Sequence, residues 1–451
     1  MTKQRRVFAA AMGAIVIFAV AGLTGCSAIG YMTGQKSVPL ELGGPAERTP
    51  IYHQGDWIIA RASMHNHTIY SDGQRTPEDL LQLARLEGMA ILAYNDHRER
   101  GVCYRDNVCL PINGIEKVGY EKYFDSLGQI KAANPDLLVL MGAEVIPYYF
   151  NVGKAPNFTI IGENRHFTVY GINDPQVFWD MPARREMRDL SPEPMPGLTP
   201  YQEFVDYIVD HGGIVHTVHV ESQQDDWYGP AHFISPRPVN HIHDLKHITD
   251  FSILPEGYHS FAGGPGGGWD SALLEYLLGA RDQVPWAMGD ADYHEASDTL
   301  ARATTLFYLR EFTEDEVFNS LREGRMVALM GASFQDCYVS RFSVSPESEE
   351  PSDPIMFGET ITVSAPPVIR FSLNRELPDV RALLIRNGVV IHEVKGCSFE
   401  YVDRETFDKN LPAVYRVEMR GPRVEKIPGQ TRQLEPDSEL FTNPIFVYIE
   451  R

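Results

Sequence analysis

Trp57-Ile58-Ile59-Ala60-Arg61-Ala62-Ser63-Met64-His65-Asn66-His67 is the stretch on which the reading of this chain turns. A mainly apolar run of strand length ends in two histidines two residues apart, and side chains two apart on a strand share a face. His65 and His67 can therefore point into one site. Asp72 follows in the loop Ser71-Asp72-Gly73. The same arrangement returns along the chain: Met89 to Tyr94 leads to Asp96-His97, Leu137 to Leu140 leads to Glu144, and Val284 to Met288 leads to Asp292 and His294. His166 opens Phe167-Thr168-Val169-Tyr170-Gly171.

Helices with start and stop signals separate these runs. Thr76-Pro77-Glu78-Asp79 offers an N-cap, a proline at the first helical position and an early acid, and Gly88 ends the pattern. Thr199-Pro200-Tyr201-Gln202 opens a second helix that Gly212 closes before the strand-like Val215 to Val220, and Thr313-Glu314-Asp315-Glu316 opens a third, ended by Gly324. Repeated strand, helix, strand order predicts an α/β fold with a parallel sheet, and about seven such units predict a barrel with its chemistry at the C-terminal strand ends.

His65-Asn66-His67 with Ser71-Asp72-Gly73, Asn95-Asp96-His97, the Gly-x-Glu at Glu144, the histidine and glycine around His166, Gly212-Gly213 followed by His219, and Asp292-x-His294 together resemble the PHP (polymerase and histidinol phosphatase) family of metallohydrolases over residues 57–335. Trp269-Asp270 and Leu321-Arg322-Glu323-Gly324-Arg325 resemble the branch that includes carbaryl hydrolase, and Asn443-Pro444-Ile445 resembles the C-terminal extension of such proteins. The resemblance implies a distorted seven-stranded barrel, TIM-like, holding two or three divalent ions. Carried over residue by residue, His65, His67, Glu144 and Asp292 would hold the first ion, Glu144 with His166 and His219 the second, and Asp72, His97 and His294 the third. Imidazole with bridging carboxylate suits zinc, manganese or iron. The chain departs from the family at Ser63, where an aspartate is usual, and at Val220, where a proline is usual. Both positions bear on support of the ligands more than on their identity.

The implied activity is that of a metal-dependent hydrolase using a metal-activated water, with a phosphoester as the expected substrate and a carbamate or aryl ester as the alternative. Asp292 or Asp96 would carry the proton of the leaving group. Arg98 and Arg100 follow His97 beyond the strand end and are candidates to grip a phosphate, whereas Arg165, adjacent to His166, should face away from the ligands. A non-catalytic, metal-stabilised binding lipoprotein is a lower alternative. His216 and His219 are three apart and should face differently, so the motif assigns the site to His219 and leaves His216 structural. His241, His243 and His247 read as a solvated loop, Glu256 as a residue that could approach the site, and Gly263 to Gly268 as a mobile loop near the barrel mouth.

The chain has 451 residues, 43% of them hydrophobic and 22% charged, which excludes disorder for the bulk and allows two or three domains. Sixty-one acids against 40 basic residues give a net charge of −21, which argues against nucleic acid as a partner. Lys3, Arg5 and Arg6 precede an uncharged run from Val7 to Leu23 that ends in Leu23-Thr24-Gly25-Cys26. This resembles a bacterial lipoprotein signal peptide (residues 1–25) with lipidation at Cys26, an ordinary signal peptide or membrane anchor being the alternative. Arg5-Arg6 also resembles the twin-arginine export signal. Residues 26–55 read as the lipidated cysteine and a tether, with order from about Trp57, residues 56–337 as the barrel, and residues 338–451 as a small all-β, sandwich-like domain without a helix. The expected location is extracytoplasmic, on a bacterial membrane. In a Gram-negative host Ser27 would favour the outer membrane. The expected partners are a small ester substrate and the membrane. Export allows disulfides, with Cys103–Cys109 and Cys337–Cys397 as the conceivable pairings and free buried thiols as the alternative for the second pair.

Overall fold

The computed structural model describes residues 37–40, 48–104, 109–229, 231–259, 261–351, 353–377, 379–426 and 432–450. The signal segment, Cys26 and most of the tether lie outside the described residues. Within the stretch read as tether, Ile51–Gln54 forms a strand that pairs antiparallel with Trp57–Ser63. Four residues before the expected start of order are thus built into the sheet, because Ile51 and Tyr52 pack on its apolar side chains.

The protein is a mixed α/β molecule with large sheets and a second, all-β region. Seven strands matter for the site: β1 (Trp57–Ser63), β2 (Ile91–Tyr94), β3 (Leu138–Val145), β4 (Phe167–Tyr170), β5 (Ile214–Thr217), β6 (Asp250–Leu254) and β7 (Trp286–Gly289). They lie side by side in chain order. All neighbouring pairs are parallel except those of β4, which runs antiparallel to both β3 and β5. The chain just past β7 lies beside the chain just past β1. Ala291 N donates to Met64 O (2.9 Å), Tyr293 N to His65 O (3.2 Å) and His67 N to Tyr293 O (2.9 Å). Strands β2, β4, β5 and β7 are buried along their whole length, which is why they read as apolar runs without alternation.

Five helices flank these strands: α1 (Pro77–Leu86), α2 (Tyr120–Ala133), α3 (Thr199–Asp210), α4 (Gly268–Leu277) and α5 (Glu314–Glu323). Thr76 caps α1 through its hydroxyl to Asp79 N at 3.1 Å, and Thr313 caps α5 in the same way. Gly324 ends α5 with a φ of 70°, and a Cβ there would meet the Trp286 ring at 2.5 Å. Helices do not follow every strand. Between β3 and β4 the chain makes a hairpin, Tyr148–Lys154 with Asn157–Ile161, so that strand β4 returns antiparallel. This hairpin joins Arg184–Met187 and the hairpin Gln224–Tyr228 with Ala231–Ser235 in a separate five-stranded sheet. The uniform strand and helix alternation expected from sequence is corrected on both counts.

The all-β region is not detached. Strand β8 (Ala303–Leu309) pairs with β1, and β9 (Met326–Met330) joins it to Glu439–Thr442, from which the sheet runs on through Ala413–Arg420 and Arg381–Arg386. A second sheet of Val339–Pro346, Pro367–Leu373 and Ser398–Val402 packs across it. Their shared core takes in Ile59, Leu306, Tyr308, Val327 and Leu329 from the first region. A short helix, Arg404–Lys409, which the sequence reading lacks, is capped by Asp403. Cys103 and Cys109 form a disulfide across the hairpin Gly101–Cys103 and Cys109–Pro111, whereas Cys337 and Cys397 are free and buried. Among the described residues no helix is long and apolar enough to cross a membrane.

Candidate metal centre

The loop after β1 is held from both sides. Asn66 turns away from its flanking histidines and donates to Ser63 O (3.0 Å) and Ala93 O (2.8 Å), and Ser63 Oγ donates back to its side chain. Asp96, fully buried, accepts from Thr68 N (2.7 Å), Thr68 Oγ1 and Ser71 Oγ (2.7 Å). A Cβ at Gly73 would lie 2.2 Å from His67 O, so only glycine lets the loop fold this tightly onto the histidine backbone. His65, His219 and Asp292 all adopt positive φ, at 60°, 31° and 45°. Such strain is uncommon outside glycine and collects at functional sites.

All nine carried-over positions meet around Glu144. His65 Nε2 lies 3.3 Å from Glu144 Oε1 and 3.4 Å from Asp292 Oδ1. His67 Nε2 lies 3.3 Å from Glu144 Oε2 and 3.1 Å from His65 Nε2. His166 Nδ1 and His219 Nε2 approach Glu144 Oε1 at 2.9 and 3.2 Å, and His97 Nδ1 approaches Oε2 at 2.8 Å. Asp72 meets His67, His97 and His294 at 3.4, 3.7 and 3.3 Å. Three groups have ligand atoms close enough together to hold an ion: His67, Asp72, His97 and His294; His65, His67 and Glu144; and His97, Glu144 and His166.

Burial opposes ionisation throughout this cluster, and neighbours decide each outcome. For Glu144 burial is outweighed by His166, His97 and His65, which hold its pKa well below the ordinary range. For His294 burial is outweighed by Asp72 and Asp292, which raise it to about 9. For His67 burial is reinforced by His294 and His97, so its pKa falls well below the usual value. Burial lowers the pKa of His166 as well, so that these two imidazoles are kept in the neutral, ligand-ready form. His166 Nε2 is buried without a hydrogen-bond partner, as is His219 Nδ1. Buried polar atoms are rarely left so. With imidazoles whose nitrogens face one another and carboxylates between them, the donor set fits divalent cations.

Asp290, absent from the sequence reading, accepts from His65 Nδ1 at 3.2 Å through Oδ2, and the same oxygen lies 3.3 Å from His216 Nε2. His216 Nδ1 in turn meets Asp250. His216 therefore faces away from the ligand cluster, and His219 faces into it. Asp290 sits two residues before Asp292 at the same strand end, and Asp250 begins the apolar run Phe251-Ser252-Ile253-Leu254. A carboxylate in such a setting was the available signal.

Five expectations are corrected. Asp96 does not face the cavity as a proton carrier, since the loop donors occupy its carboxylate. Arg98 is buried and bonds Phe178 O at 3.3 Å, with Glu99 and Glu116 as its ion-pair partners, so it does not lean over the site. Arg100 is exposed and does not line the cavity. Gly263 to Gly268 is pinned, with Gly266 N on Asp270 Oδ2 at 2.8 Å and Gly263 N on Gly257 O. His241 is also no solvated residue: it is 1% exposed, lies between Phe167 and Tyr201, and burial lowers its pKa to about 3.

A cavity of about 400 Å³ opens above the cluster. Asp72, His97, Glu144, His166, His219, Asp292 and His294 form its floor, and Val102, Leu110, Ile112, Tyr228 and Phe233 an apolar wall. Glu163, Asn164, Ser222, Gln224 and Glu256 complete it. No lysine or arginine among the described residues lines it.

No protein-family model matches the sequence, and no curated protein matches it. Among solved structures, a two-domain Bacteroides vulgatus protein containing a predicted PHP-like metal-dependent phosphoesterase is similar at 12% identity and a TM-score of 0.39, over 90% of this chain and 100% of that one. A Bifidobacterium adolescentis protein described as a metal-dependent phosphoesterase is similar at 13% identity and a TM-score of 0.26, over 56% and 89%. An amidohydrolase from Chromobacterium violaceum, with bound sulfate and no metal, is similar at 14% and 0.25, over 52% and 88%.

Proposed function

We propose that the protein is a metal-dependent hydrolase of ester bonds, acting on phosphoesters, with a ring of seven strands arranged as a distorted PHP-type barrel. The convergence of His65, His67, His97, His166 and His219 on the single carboxylate of Glu144, at the floor of a cavity, carries this reading. Two or three divalent ions, zinc, manganese or iron by donor type, would supply Lewis-acid charge toward water and toward the ester oxygens. Asp290 fixes the tautomer of His65 by accepting at Nδ1, which leaves Nε2 for the ion, and Ser71 acts likewise on His67 Nδ1 at 3.2 Å. Asp292, whose side chain is 28% exposed at the cavity edge, would be the group that passes a proton to the leaving group.

A second reading, a carbamate or aryl ester hydrolase, is favoured by the apolar wall and by the lack of lysine or arginine among the described lining residues, since a neutral ester needs no cationic clamp. For the same reason a phosphodiester, with one negative charge, suits the cavity better than a phosphomonoester dianion. We further propose that the protein is anchored by lipid at Cys26 outside the cytoplasm. The test is elemental analysis of the protein without its signal, then assay of bis(p-nitrophenyl) phosphate, p-nitrophenyl phosphate and 1-naphthyl N-methylcarbamate. Bound metal with diester hydrolysis is expected. Carbamate hydrolysis alone would select the second reading, and a protein that binds no metal would end both.

A further inference from the structure

Glu163 is buried to 7% exposure, lines the cavity, and is not among the candidate ligands. It follows Gly162, which turns the chain at a φ of 86° out of the strand Asn157–Ile161. Its side-chain partner is the amide of Gln224, and the positive group that acts on it is the His97 imidazole, which Glu144 and Asp72 share. A buried carboxylate without a counter-charge of its own is costly, and proteins ordinarily pair it.

The wall around Glu163 is rigid and directed. Asn164 N donates to Ser235 Oγ (2.9 Å) and Asn164 Nδ2 to Ser222 Oγ (3.0 Å), which fixes the turn that carries the glutamate. Tyr228 and Phe233, both cavity-lining, pack edge to face with centroids 5.1 Å apart. Glu256 adds a second non-ligand carboxylate to the lining. Acid beside aromatic rings, with no lysine or arginine among the described lining residues, is the surrounding that desolvated ammonium groups favour.

We propose that Glu163, with Tyr228 and Phe233, forms a subsite for a positively charged alkylammonium group, so that the preferred substrate is an ester carrying such a group beside the scissile bond. This rests on the hydrolase reading for the word substrate, but the subsite itself is a binding property. A small ester and a lipid headgroup present the same ammonium chemistry.

The test uses the full chain loaded with metal. Calorimetric titration compares choline with 3,3-dimethyl-1-butanol, its uncharged isostere. Choline should bind at least about tenfold more tightly, Glu163→Gln should erase the difference, and Glu163→Asp should retain part of it. Equal affinities in the wild type, or discrimination that survives Glu163→Gln, would overturn the subsite. Hydrolysis of p-nitrophenyl phosphorylcholine and of phosphatidylcholine vesicles is then measured to separate the small ester from the headgroup, either of which supports the substrate class. Choline discrimination without turnover of any ester would leave the subsite standing and remove the hydrolase reading instead.

Discussion

Arg416 and Glu144 are each 1% exposed and each surrounded by ionisable groups, yet their surroundings are built differently. Arg416 donates twice to Asp270 at 2.8 Å and also to Glu418, which receives Tyr258 Oη (3.0 Å) and Arg420 (2.7 Å) besides. Its guanidinium also covers the Trp269 ring. Every charge in that network meets its opposite, and it ties α4 to the strand Ala413–Arg420 of the all-β region. Around Glu144 the count does not close: imidazole nitrogens face each other, His166 Nε2 has no partner, and backbone strain sits at three of the positions. A closed network does structural service, whereas an open one of the same burial is complete only with something else bound.

The largest effect should come from opening the unclosed cluster further. Glu144→Gln should abolish turnover and lower metal affinity by more than about a hundredfold, beyond what loss of a supporting group costs, as read by equilibrium dialysis. Arg416→Met should do the reverse. It leaves Asp270 buried without a counter-charge and Glu418 with Arg420 alone, at a cost of about 3–5 kcal/mol in denaturant unfolding, while metal content per folded molecule is kept. Asp290→Asn lies between the two, since it orients a ligand without being one. Metal affinity should drop by about 10- to 100-fold with the fold intact, and an unchanged affinity would remove Asp290 from the argument. Arg98→Ala should have the smallest functional effect. Its partners Phe178 O, Glu99 and Glu116 make it part of a closed network, so KM for a phosphodiester should move by less than about twofold while the melting temperature falls.

These contrasts also mark what the sequence could carry. The capped starts of α1 and α5 and the strand positions of β2, β3 and β7 were legible because local signals decide them. His65 and His67 do share one site, but not by the strand alternation the sequence suggested: β1 ends at Ser63 and His65 adopts a φ of 60°, so the loop turns both inward. The direction of β4 was not, since a four-residue apolar run looks the same whichever way it runs. The five-stranded sheet over the cavity was missed although Gly153, Pro156 and Asn157 mark a turn. Arg98 and Asp96 were misplaced for a common reason: both follow a strand end, where alternation stops and the side chain goes to whichever partner the tertiary fold supplies. Asp290 had one local signal, its place directly after an apolar strand, whereas Glu163 needed the folded neighbourhood, because nothing local separates it from a carboxylate at the surface.

The bonds that join the segments past β1 and β7 have a consequence for how the molecule is made. His65 and Asp290 are 225 positions apart, and the loop that presents the first histidines is fastened by the backbone of Ala291 and Tyr293. During synthesis the early ligands emerge long before their supports, so a growing chain holds only fragments of the ion site. Closure of so long a loop is slow relative to local folding. Loading with metal would therefore wait until the chain has passed His294, about two thirds of its length, which would make ion uptake a report of maturation.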